Sequence, residues 1–243
     1  VLRKRVLVTR PEPGASATAA RLEALGFEPV VLPLTRIVGL EPRLPAAPGD
    51  YDAVIVTSPN AVRHIPAKLI DAFHTRPLYA VGEATGSEAR KSGFTNVRIA
   101  GGTAVQLADL ISKELPAGSH LLHLAAVQRT KGFADALDAC GFRLDVAEVY
   151  SAEEVSYPTD FVLNAITQGE VWGTPVLSER GGQLIAALTA REGMQQVFGK
   201  TAFFCISQKV AAAISGVDAE RIFVSAAPSE ESVLELLLTH SGG

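Results

Sequence analysis

Two stretches of this chain decide the fold. Residues 4–34 read KRVLVTRPEPGASATAARLEALGFEPVVLPL, and residues 119–149 read SHLLHLAAVQRTKGFADALDACGFRLDVAEV. Aligned without gaps, both read as strand, loop, amphipathic helix, glycine and strand, with Gly26 and Gly141 at the same position. A glycine there suits the left-handed backbone conformation that often follows a helix. The chain therefore contains a repeated structural unit.

A second and weaker repeat follows each of these stretches. Residues 56–58 (VTS) match residues 176–178 (VLS), and Ile65 matches Ile185. Each copy reads as three strands that alternate with three helices. Short apolar strands separated by helices are typical of parallel sheets with helices on both faces. We therefore predict an α/β protein with two similar domains, each built on a parallel sheet.

The pairing of the repeated units sets the domain boundaries. The two junctions between units have an extended pattern without a strong break, and we expect them to run side by side as a two-strand hinge. The middle of the chain, residues 37–152, then forms one domain, and residues 1–36 with 153–243 form the other. A sequential division near residue 116 is the alternative that the sequence leaves open.

Composition excludes several classes of protein. The chain has 243 residues, of which 47% are hydrophobic, and a formal net charge of −4, which argues against a general nucleic-acid binder. Cys140 and Cys205 form no CxxC pair, and both are expected to be buried. No apolar run approaches the ~20 residues that span a bilayer, and residues 1–10 do not resemble a signal peptide. We expect a cytoplasmic monomer.

Several motifs with known chemistry are missing from the sequence. There is no GxxxxGK[ST], GxGxxG, HExxH or GxSxG pattern, so phosphate-loop, dinucleotide-binding, zinc-protease and serine-hydrolase chemistry have no support. Two of the five histidines, His120 and His123, fall on one predicted strand and point to opposite faces of it. Packed or solvated histidines are expected here rather than metal ligands.

Hydroxyl residues follow the predicted strands of the first half. Thr57 and Ser58 come after an apolar strand and open a helix, where Ser58 reads as an N-cap. Gly82 and Thr85 repeat this arrangement one strand later, and Gly82 allows a ligand to approach the backbone closely. Helix starts at the carboxyl edge of a parallel sheet are where such folds bind anions. Capping remains the alternative role for Thr85.

Further candidates lie in the loops and in the second half. Ser178 opens a helix that matches the one after Ser58. Tyr150 closes a predicted strand, where its simplest role is that of a sheet-rim tyrosine. Four basic residues near loop positions are each expected to be solvated charges, but together they could supply local positive potential: Arg10, Arg129, Lys131 and Lys209.

These residues resemble the uroporphyrinogen-III synthase family. The resemblance runs along the whole chain in the right order, although no single motif is very specific. It is carried by residues 8–11 (VTRP), 57–62 (TSPNAV), 80–85 (AVGEAT), 149–150 (VY), 206–213 (ISQKVAAA) and 226–229 (AAPS).

The resemblance implies a fold and a reaction. Two flavodoxin-like domains are joined by a two-strand ladder, with the substrate cleft between them. Hydroxymethylbilane, a linear tetrapyrrole with acetate and propionate side chains, is cyclised to uroporphyrinogen III with inversion of ring D, through a proposed spiro intermediate, and loss of water. The family uses no metal and no organic cofactor. The implied enzyme is a cyclising lyase of tetrapyrrole (heme) biosynthesis.

The resemblance also implies roles for individual residues. Tyr150 matches the tyrosine that assists loss of the hydroxyl group. Substrate-binding positions are expected at Thr57, Ser58, Thr85, Ser178, Arg10, Gly82 and Lys209. The second half departs from the family pattern, because Leu177 replaces the threonine of a Thr-Ser pair and Lys209-Val210 stands where some members carry threonines.

Two other functions remain open on the sequence. The chain could be a non-enzymatic two-domain ligand binder, or a synthase-like domain that has lost activity and serves as a binding or regulatory module. Retention of Tyr150 and Thr57-Ser58 favours the enzyme. Activity on the linear tetrapyrrole separates the enzyme from both alternatives.

Overall fold

The chain divides into two compact units in a computed structural model that describes residues 3–129, 132–166 and 170–242. The terminal unit comprises residues 1–36 and 153–243, and the middle unit comprises residues 37–152.

Strands and helices alternate through most of the described chain. The strands are β1 (Arg5–Val8), β2 (Glu28–Val31), β3 (Thr35–Gly39), β4 (Ala53–Val56), β5 (Leu78–Ala80), β6 (Val97–Ile99), β7 (His120–Ala126), β8 (Arg143–Glu154), β9 (Val171–Val176), β10 (Ala202–Cys205) and β11 (Ile222–Val224). The helices are α1 (Gly14–Ala24), α2 (Pro59–Arg63), α3 (Ala67–Phe73), α4 (Glu83–Lys91), α5 (Ala104–Glu114), α6 (Gly132–Ala139), α7 (Thr159–Ile166), α8 (Glu179–Thr189), α9 (Met194–Val197), α10 (Gln208–Ala212) and α11 (Glu230–Ser241).

The two sheets share one strand arrangement. The terminal sheet has the order β11-β10-β9-β1-β2, and its neighbouring strands pair in parallel. The other sheet has the order β3-β8-β7-β4-β5-β6, in which the five strands from β8 to β6 also pair in parallel. Without β3, the middle sheet has the order β8-β7-β4-β5-β6, and read in the opposite direction it matches the terminal sheet strand by strand. Each matched pair of strands comes from the two copies of the sequence repeat. The predicted α/β class with parallel sheets is confirmed.

Strands β3 and β8 carry the chain across the boundary between the units. Leu40 N–H donates to the Val149 carbonyl at 2.9 Å, and Val155 N–H donates to the Leu34 carbonyl at 3.0 Å. As the residue number rises along one strand it falls along the other, so the two strands are antiparallel. Strand β8 runs on to Glu154 rather than ending at Tyr150, because β3 supplies a second partner at its edge.

Each sheet is buried on both faces, as parallel sheets usually are. Successive residues of β4 alternate between two hydrophobic clusters, with Val54 and Val56 in one and Ala53 and Ile55 in the other. The terminal unit has a corresponding pair of clusters around β1, one of which contains Leu7. These apolar layers hold the strand ends, and therefore the residues that follow them, in fixed positions.

Local details both support and correct the sequence analysis. Gly26 and Gly141 have φ angles of 88° and 81°, which supports the helix-ending role assigned to them. Cys205 is buried as expected, but Cys140 is exposed, so that prediction was wrong. Cys140 directly follows the last residue of α6, where Leu137 rather than the cysteine faces the core. Among the described residues, no helix is long and apolar enough to cross a membrane.

Candidate active site

The predicted residues of the middle unit lie along the carboxyl edge of its sheet. In the register of the strands, Val56 pairs with Ala80 of β5 and with Leu124 of β7. Thr57 and Gly82 follow the ends of β4 and β5, and therefore stand at the same edge. Tyr150 pairs with Ala126, the last residue of β7, and joins this edge from β8.

Thr57 is hydrogen bonded to a histidine on the neighbouring strand. Its Oγ1 lies 3.2 Å from Nε2 of His123, which belongs to β7 and is 6% exposed. Burial, and to a lesser degree the positive charge of Arg129, lowers the pKa of His123 from 6.5 to about 4. The imidazole is therefore neutral at physiological pH. His123 and His120 face opposite sides of the sheet, since their aromatic neighbours are Phe133 and Tyr51 respectively.

Ser58 caps helix α2, as its sequence context indicates. Its Oγ accepts a hydrogen bond from the Asn60 amide at 3.2 Å, and Pro59 occupies the first helical position. The cap orients the short helix that ends just before His64. Capping and ligand contact are compatible, because a serine oxygen has a second lone pair and its hydroxyl hydrogen is free to rotate.

Gly82 is the N-cap of helix α4, and no side chain caps this helix. The amide N–H groups of its first turn are therefore free of any capping side chain. A Cβ at Gly82 would come no closer than 3.5 Å to its nearest neighbour, so the glycine keeps this helix start uncovered rather than relieving a clash. Glu83 in the same turn is exposed and ion-paired with Arg90 at 3.5 Å.

Thr85 lies in that first turn and is only 3% exposed. Across the described ranges, no hydrogen-bond partner is found for its hydroxyl group. Solvent still reaches the hydroxyl oxygen, because Nε of Arg221 is the only fully buried side-chain nitrogen or oxygen atom without a partner among the described residues. The hydroxyl does not cap α4, because no side chain caps that helix.

Tyr150 is 8% exposed and belongs to the hydrophobic cluster that contains Val56 and Leu124. Its ring lies beside the imidazole of His64, with a centroid distance of 6.0 Å. None of the described residues forms a hydrogen bond with the Tyr150 hydroxyl. Its ring is thus fixed by packing, while its hydroxyl is uncommitted.

In the terminal unit, two predicted residues stand at the carboxyl edge of the sheet and are linked by a common neighbour. Ser178 follows β9 and caps α8, with its Oγ accepting from the Gly181 amide at 3.0 Å. Lys209 lies in the first turn of α10 and forms a 2.8 Å ion pair with Glu179, the first residue of α8. Both partners of this ion pair are well exposed, so a carboxylate ligand can compete for the lysine.

Arg10, which follows β1, belongs to an internal network. Its Nη1 donates to Glu230 at 2.8 Å and to Thr18 at 3.1 Å. A Cβ at Gly14 would come within 2.6 Å of Arg10 Nε, so this glycine makes room for the guanidinium. Glu230 also accepts from Thr18 and lies 3.7 Å from Arg21. The side chain of Arg10 is held firmly and only partly exposed.

The structure reveals partners that sequence reasoning missed. His123 is packed, as expected for these histidines, but its contact with Thr57 was missed because it depends on the register of two strands far apart in sequence. Glu179 and Glu230 each open a helix, where acidic residues are common for dipole reasons, so nothing local marked them as partners of basic residues. Arg129 forms a 2.7 Å ion pair with Glu148, and Lys131 lies outside the described residues.

No group of three or more His, Cys, Asp or Glu side chains is arranged to hold a metal ion within residues 3–129, 132–166 and 170–242. The carboxyl edges of the two sheets present hydroxyl groups, helix N–H groups and a few basic side chains. Such groups bind carboxylates and stabilise developing charge without a dedicated nucleophile.

Comparisons with known proteins bear on this arrangement. A crystal structure of uroporphyrinogen-III synthetase from Helicobacter pylori 26695 is similar over 98% of this chain and 100% of its own, with 20% identity and a TM-score of 0.65. A mutant uroporphyrinogen III synthase from the extremely thermophilic bacterium Thermus thermophilus is similar over 98% of both chains, with 16% identity and a TM-score of 0.59. The search of curated proteins found no similar sequence. The family model described as uroporphyrinogen-III synthase HemD matches residues 16–235, and this chain therefore belongs to the uroporphyrinogen-III synthase family.

Proposed function

We propose that this protein converts hydroxymethylbilane to uroporphyrinogen III, with inversion of ring D and loss of water. The observation that carries the proposal is the family match over residues 16–235, nearly the whole chain. The uncommitted polar groups at the sheet edges support it, because they suit a substrate that carries many carboxylates. We further propose that the two compact units are the functional domains, with boundaries at 36/37 and 152/153.

The reaction makes modest chemical demands on the protein. The hydroxyl of the substrate's hydroxymethyl group leaves as water once it is protonated, and the electron-rich pyrrole stabilises the resulting cation. The enzyme must therefore donate one proton, fold the linear chain and direct attack to the substituted carbon of ring D. Binding many carboxylates at fixed points is the way to control that folding.

Tyr150 is proposed as the proton donor. Its hydroxyl has no partner among the described residues, so it is free to bond to the leaving oxygen. As the carbon–oxygen bond breaks, the phenol proton passes to the departing hydroxyl, and water is released. The proton lost from ring D when its aromaticity is restored returns to the phenolate. The protein ends the cycle in its starting state.

The start of helix α4 is proposed to hold a substrate carboxylate. Its first-turn N–H groups have no capping side chain, and Gly82 leaves them accessible. The hydroxyl of Thr85, which has no partner among the described residues and is within reach of solvent, adds a donor in the same turn. Thr57 and Ser58 supply a second group of polar contacts at the neighbouring strand end.

Residues of the terminal unit are proposed to hold further carboxylates. Ser178 and Lys209 stand at the carboxyl edge of its sheet, and Lys209 is only partly neutralised by an exposed partner. Arg10 is held on one side by Glu230, which leaves the rest of its guanidinium for a ligand. At the position where some members of the family carry threonines, Lys209 replaces a hydroxyl contact with a charged one.

We propose that the protein acts as a cytoplasmic monomer without a nucleic-acid partner. Both cysteines are unpaired, and Cys140 is exposed, which fits a reducing compartment. The formal net charge of −4 does not favour binding to nucleic acid. Light scattering during size-exclusion chromatography tests the monomer.

The decisive experiment is product analysis with hydroxymethylbilane generated in situ by its upstream enzyme. After oxidation, chromatography separates the type III isomer from the type I isomer that forms spontaneously. We expect the type III isomer to dominate. Type I alone, from a folded protein, would exclude the synthase and leave the inactive binding or regulatory module.

A further inference from the structure

A continuous chain of hydrogen bonds joins helices α2 and α4 at the carboxyl edge of the middle sheet. Oγ of Ser58 accepts from the Asn60 amide at 3.2 Å, and Oδ1 of Asn60 accepts from Nη1 of Arg63 at 3.1 Å. Arg63 also donates to the carboxylate of Glu88 through Nε and Nη2, both at 3.0 Å. The chain of contacts therefore runs from the N-cap of α2 to the body of α4.

The ion pair between Arg63 and Glu88 is bidentate. Two parallel N–H···O bonds fix the orientation of the two side chains as well as their distance, which the ammonium group of a lysine cannot do. The side chains of Arg63 and Glu88 are 35% and 22% exposed, so solvent screens the pair only in part. Surface ion pairs usually add little stability, so what this pair chiefly provides is a fixed geometry between two helices.

Glu88 also shows which face of α4 is turned toward α2. Residues three apart in a helix lie on the same face, so Thr85 and Glu88 share one. Glu88 reaches α2 by way of Arg63. The two helices also pack together, since Ala61 of α2 and Ala89 of α4 belong to one hydrophobic cluster. Thr85 therefore lies on the side of α4 that faces α2.

We propose that Arg63 and Glu88 are positioning residues, which set the distance between the substrate-binding groups at the starts of α2 and α4. Thr57 and Ser58 stand at the start of α2, and Thr85 lies in the first turn of α4. Two carboxylates of one substrate molecule can be held at the same time only if these groups keep the matching distance. The ion pair keeps that distance without itself contacting the substrate. This inference rests on the proposed function, in which these hydroxyl groups bind substrate carboxylates.

The positions of the two helix starts can be tested without substrate. Arg63→Lys keeps the positive charge but loses the bidentate geometry, and we expect the backbone amide signals of both Ser58 and Thr85 to shift in ¹H–¹⁵N spectra. Arg98→Lys is the matched control, because Arg98 contacts Glu114 at the C-terminal end of α5, and it should leave both signals in place. Shifts confined to the immediate neighbours of Arg63 would overturn the proposal, whether or not the protein forms the type III isomer.

Kinetics then test the consequence for the substrate. Arg63→Lys and Glu88→Gln each weaken the ion pair from one side. We expect each to raise KM about three- to tenfold, the effect of losing roughly one hydrogen bond to the substrate. The kcat should stay within about twofold of the wild type, because the proposed proton donor Tyr150 lies on another strand. Since each residue acts through the other, the double variant should be no worse than the more affected single one.

The controls separate a positioning role from a structural one. Arg98→Lys should keep the KM of the wild type, and thermal unfolding shows whether each variant is folded. A loss of stability with unchanged KM in Arg63→Lys and Glu88→Gln, or fully additive effects on KM in the double variant, would contradict the proposal. If Arg63→Lys does not fold, an unchanged KM in Glu88→Gln would do so. If the wild type yields only the type I isomer, the proposed function fails, and the amide spectra alone decide whether the ion pair positions the helix starts.

Discussion

The imidazole ring of His64 lies beside the phenol ring of Tyr150, with centroids 6.0 Å apart and planes inclined by 31°. His64 is itself held in place, because its Nδ1–H donates to the Asn60 carbonyl at 2.8 Å. Its ring also lies close to Gly39, where a Cβ would come within 2.9 Å of Cδ2. Helix α2 and strand β3 together therefore set the position of the Tyr150 ring.

Tyr150→Phe should remain folded but lose most of its activity. The ring and its packing against His64 are kept, whereas the proposed proton donor is removed. General acid catalysis typically contributes about 10²–10⁴-fold, so we expect a loss of that order in kcat for the type III isomer. Thermal unfolding serves as the control for folding. Turnover equal to that of the wild type would remove Tyr150 from the mechanism.

Gly39→Ala should destabilise the protein through His64. The new Cβ would lie too close to the imidazole, and forcing such a contact typically costs about 1–3 kcal/mol. Urea denaturation measures the free energy of unfolding. The double variant Gly39→Ala/His64→Ala should recover most of the loss, because the clashing ring is gone. Gly49→Ala, where a Cβ meets nothing within 4 Å, is the matched control and should be nearly neutral.

Thr85→Val should weaken substrate binding without harming the fold. Valine has nearly the same shape but no hydroxyl, and the lost group has no partner among the described residues. We expect the free energy of unfolding to stay within about 1 kcal/mol of the wild type or to rise, while KM increases about tenfold or more. Thr85→Ser, which keeps the hydroxyl, should retain a low KM. A stability loss with unchanged KM would instead favour a structural role.

Acid should destabilise the protein through His123. Its pKa is about 4 in the folded protein and near 6.5 in the unfolded chain, so the unfolded state binds more protons between these values. The contribution of His123 to the free energy of unfolding is complete above pH 6.5. It falls by about 3 kcal/mol as the pH decreases toward 4.

His123→Gln isolates this effect, because glutamine does not titrate. Urea denaturation at several pH values between 4 and 7.5 should give a flatter dependence for the variant than for the wild type. If the free energy of unfolding depends on pH equally in the two proteins, His123 takes up its proton as readily in the folded state as in the unfolded chain.

Lys209→Gln should affect binding more than stability. The ion pair with Glu179 is exposed, with 69% and 44% of the two side chains accessible, so its loss should cost under about 1 kcal/mol. If Lys209 binds a substrate carboxylate, KM should rise and become less sensitive to salt. Lys68→Gln breaks another exposed lysine–glutamate pair and should leave KM unchanged. A KM for Lys209→Gln equal to that of Lys68→Gln would argue against the contact.

Local sequence was sufficient to predict much of the architecture. The apolar strands and the glycines that end helices gave the parallel α/β class, because strand burial and helix termination depend on neighbouring residues. The caps formed by Ser58 and Ser178 could be predicted for the same reason. The two junctions were expected to lie side by side, but the sequence did not show that β8 continues through Tyr150 to Glu154 as one strand.

The partners of the site residues could not be predicted in the same way. His123 meets Thr57 only in the actual register of β4 and β7, and Glu230 meets Arg10 across 220 residues of sequence. Exposure of Cys140 depends on where α6 ends, because the cysteine lies in the turn after the helix, and a window of apolar residues does not fix that end. The sequence pattern predicts where strands end, whereas the contacts between residues of different strands are seen only in the folded sheet.

The discontinuous terminal unit has a consequence for biosynthesis. Strand β1 lies between β2 and β9 in its sheet, yet β9 leaves the ribosome about 165 residues later, or about 10–30 s at common elongation rates. During that interval the middle unit can complete its own sheet, while the nascent β1 offers one unpaired edge. Early aggregation and chaperone capture should therefore centre on the first 36 residues, and slower translation of the C-terminal third should aggravate both.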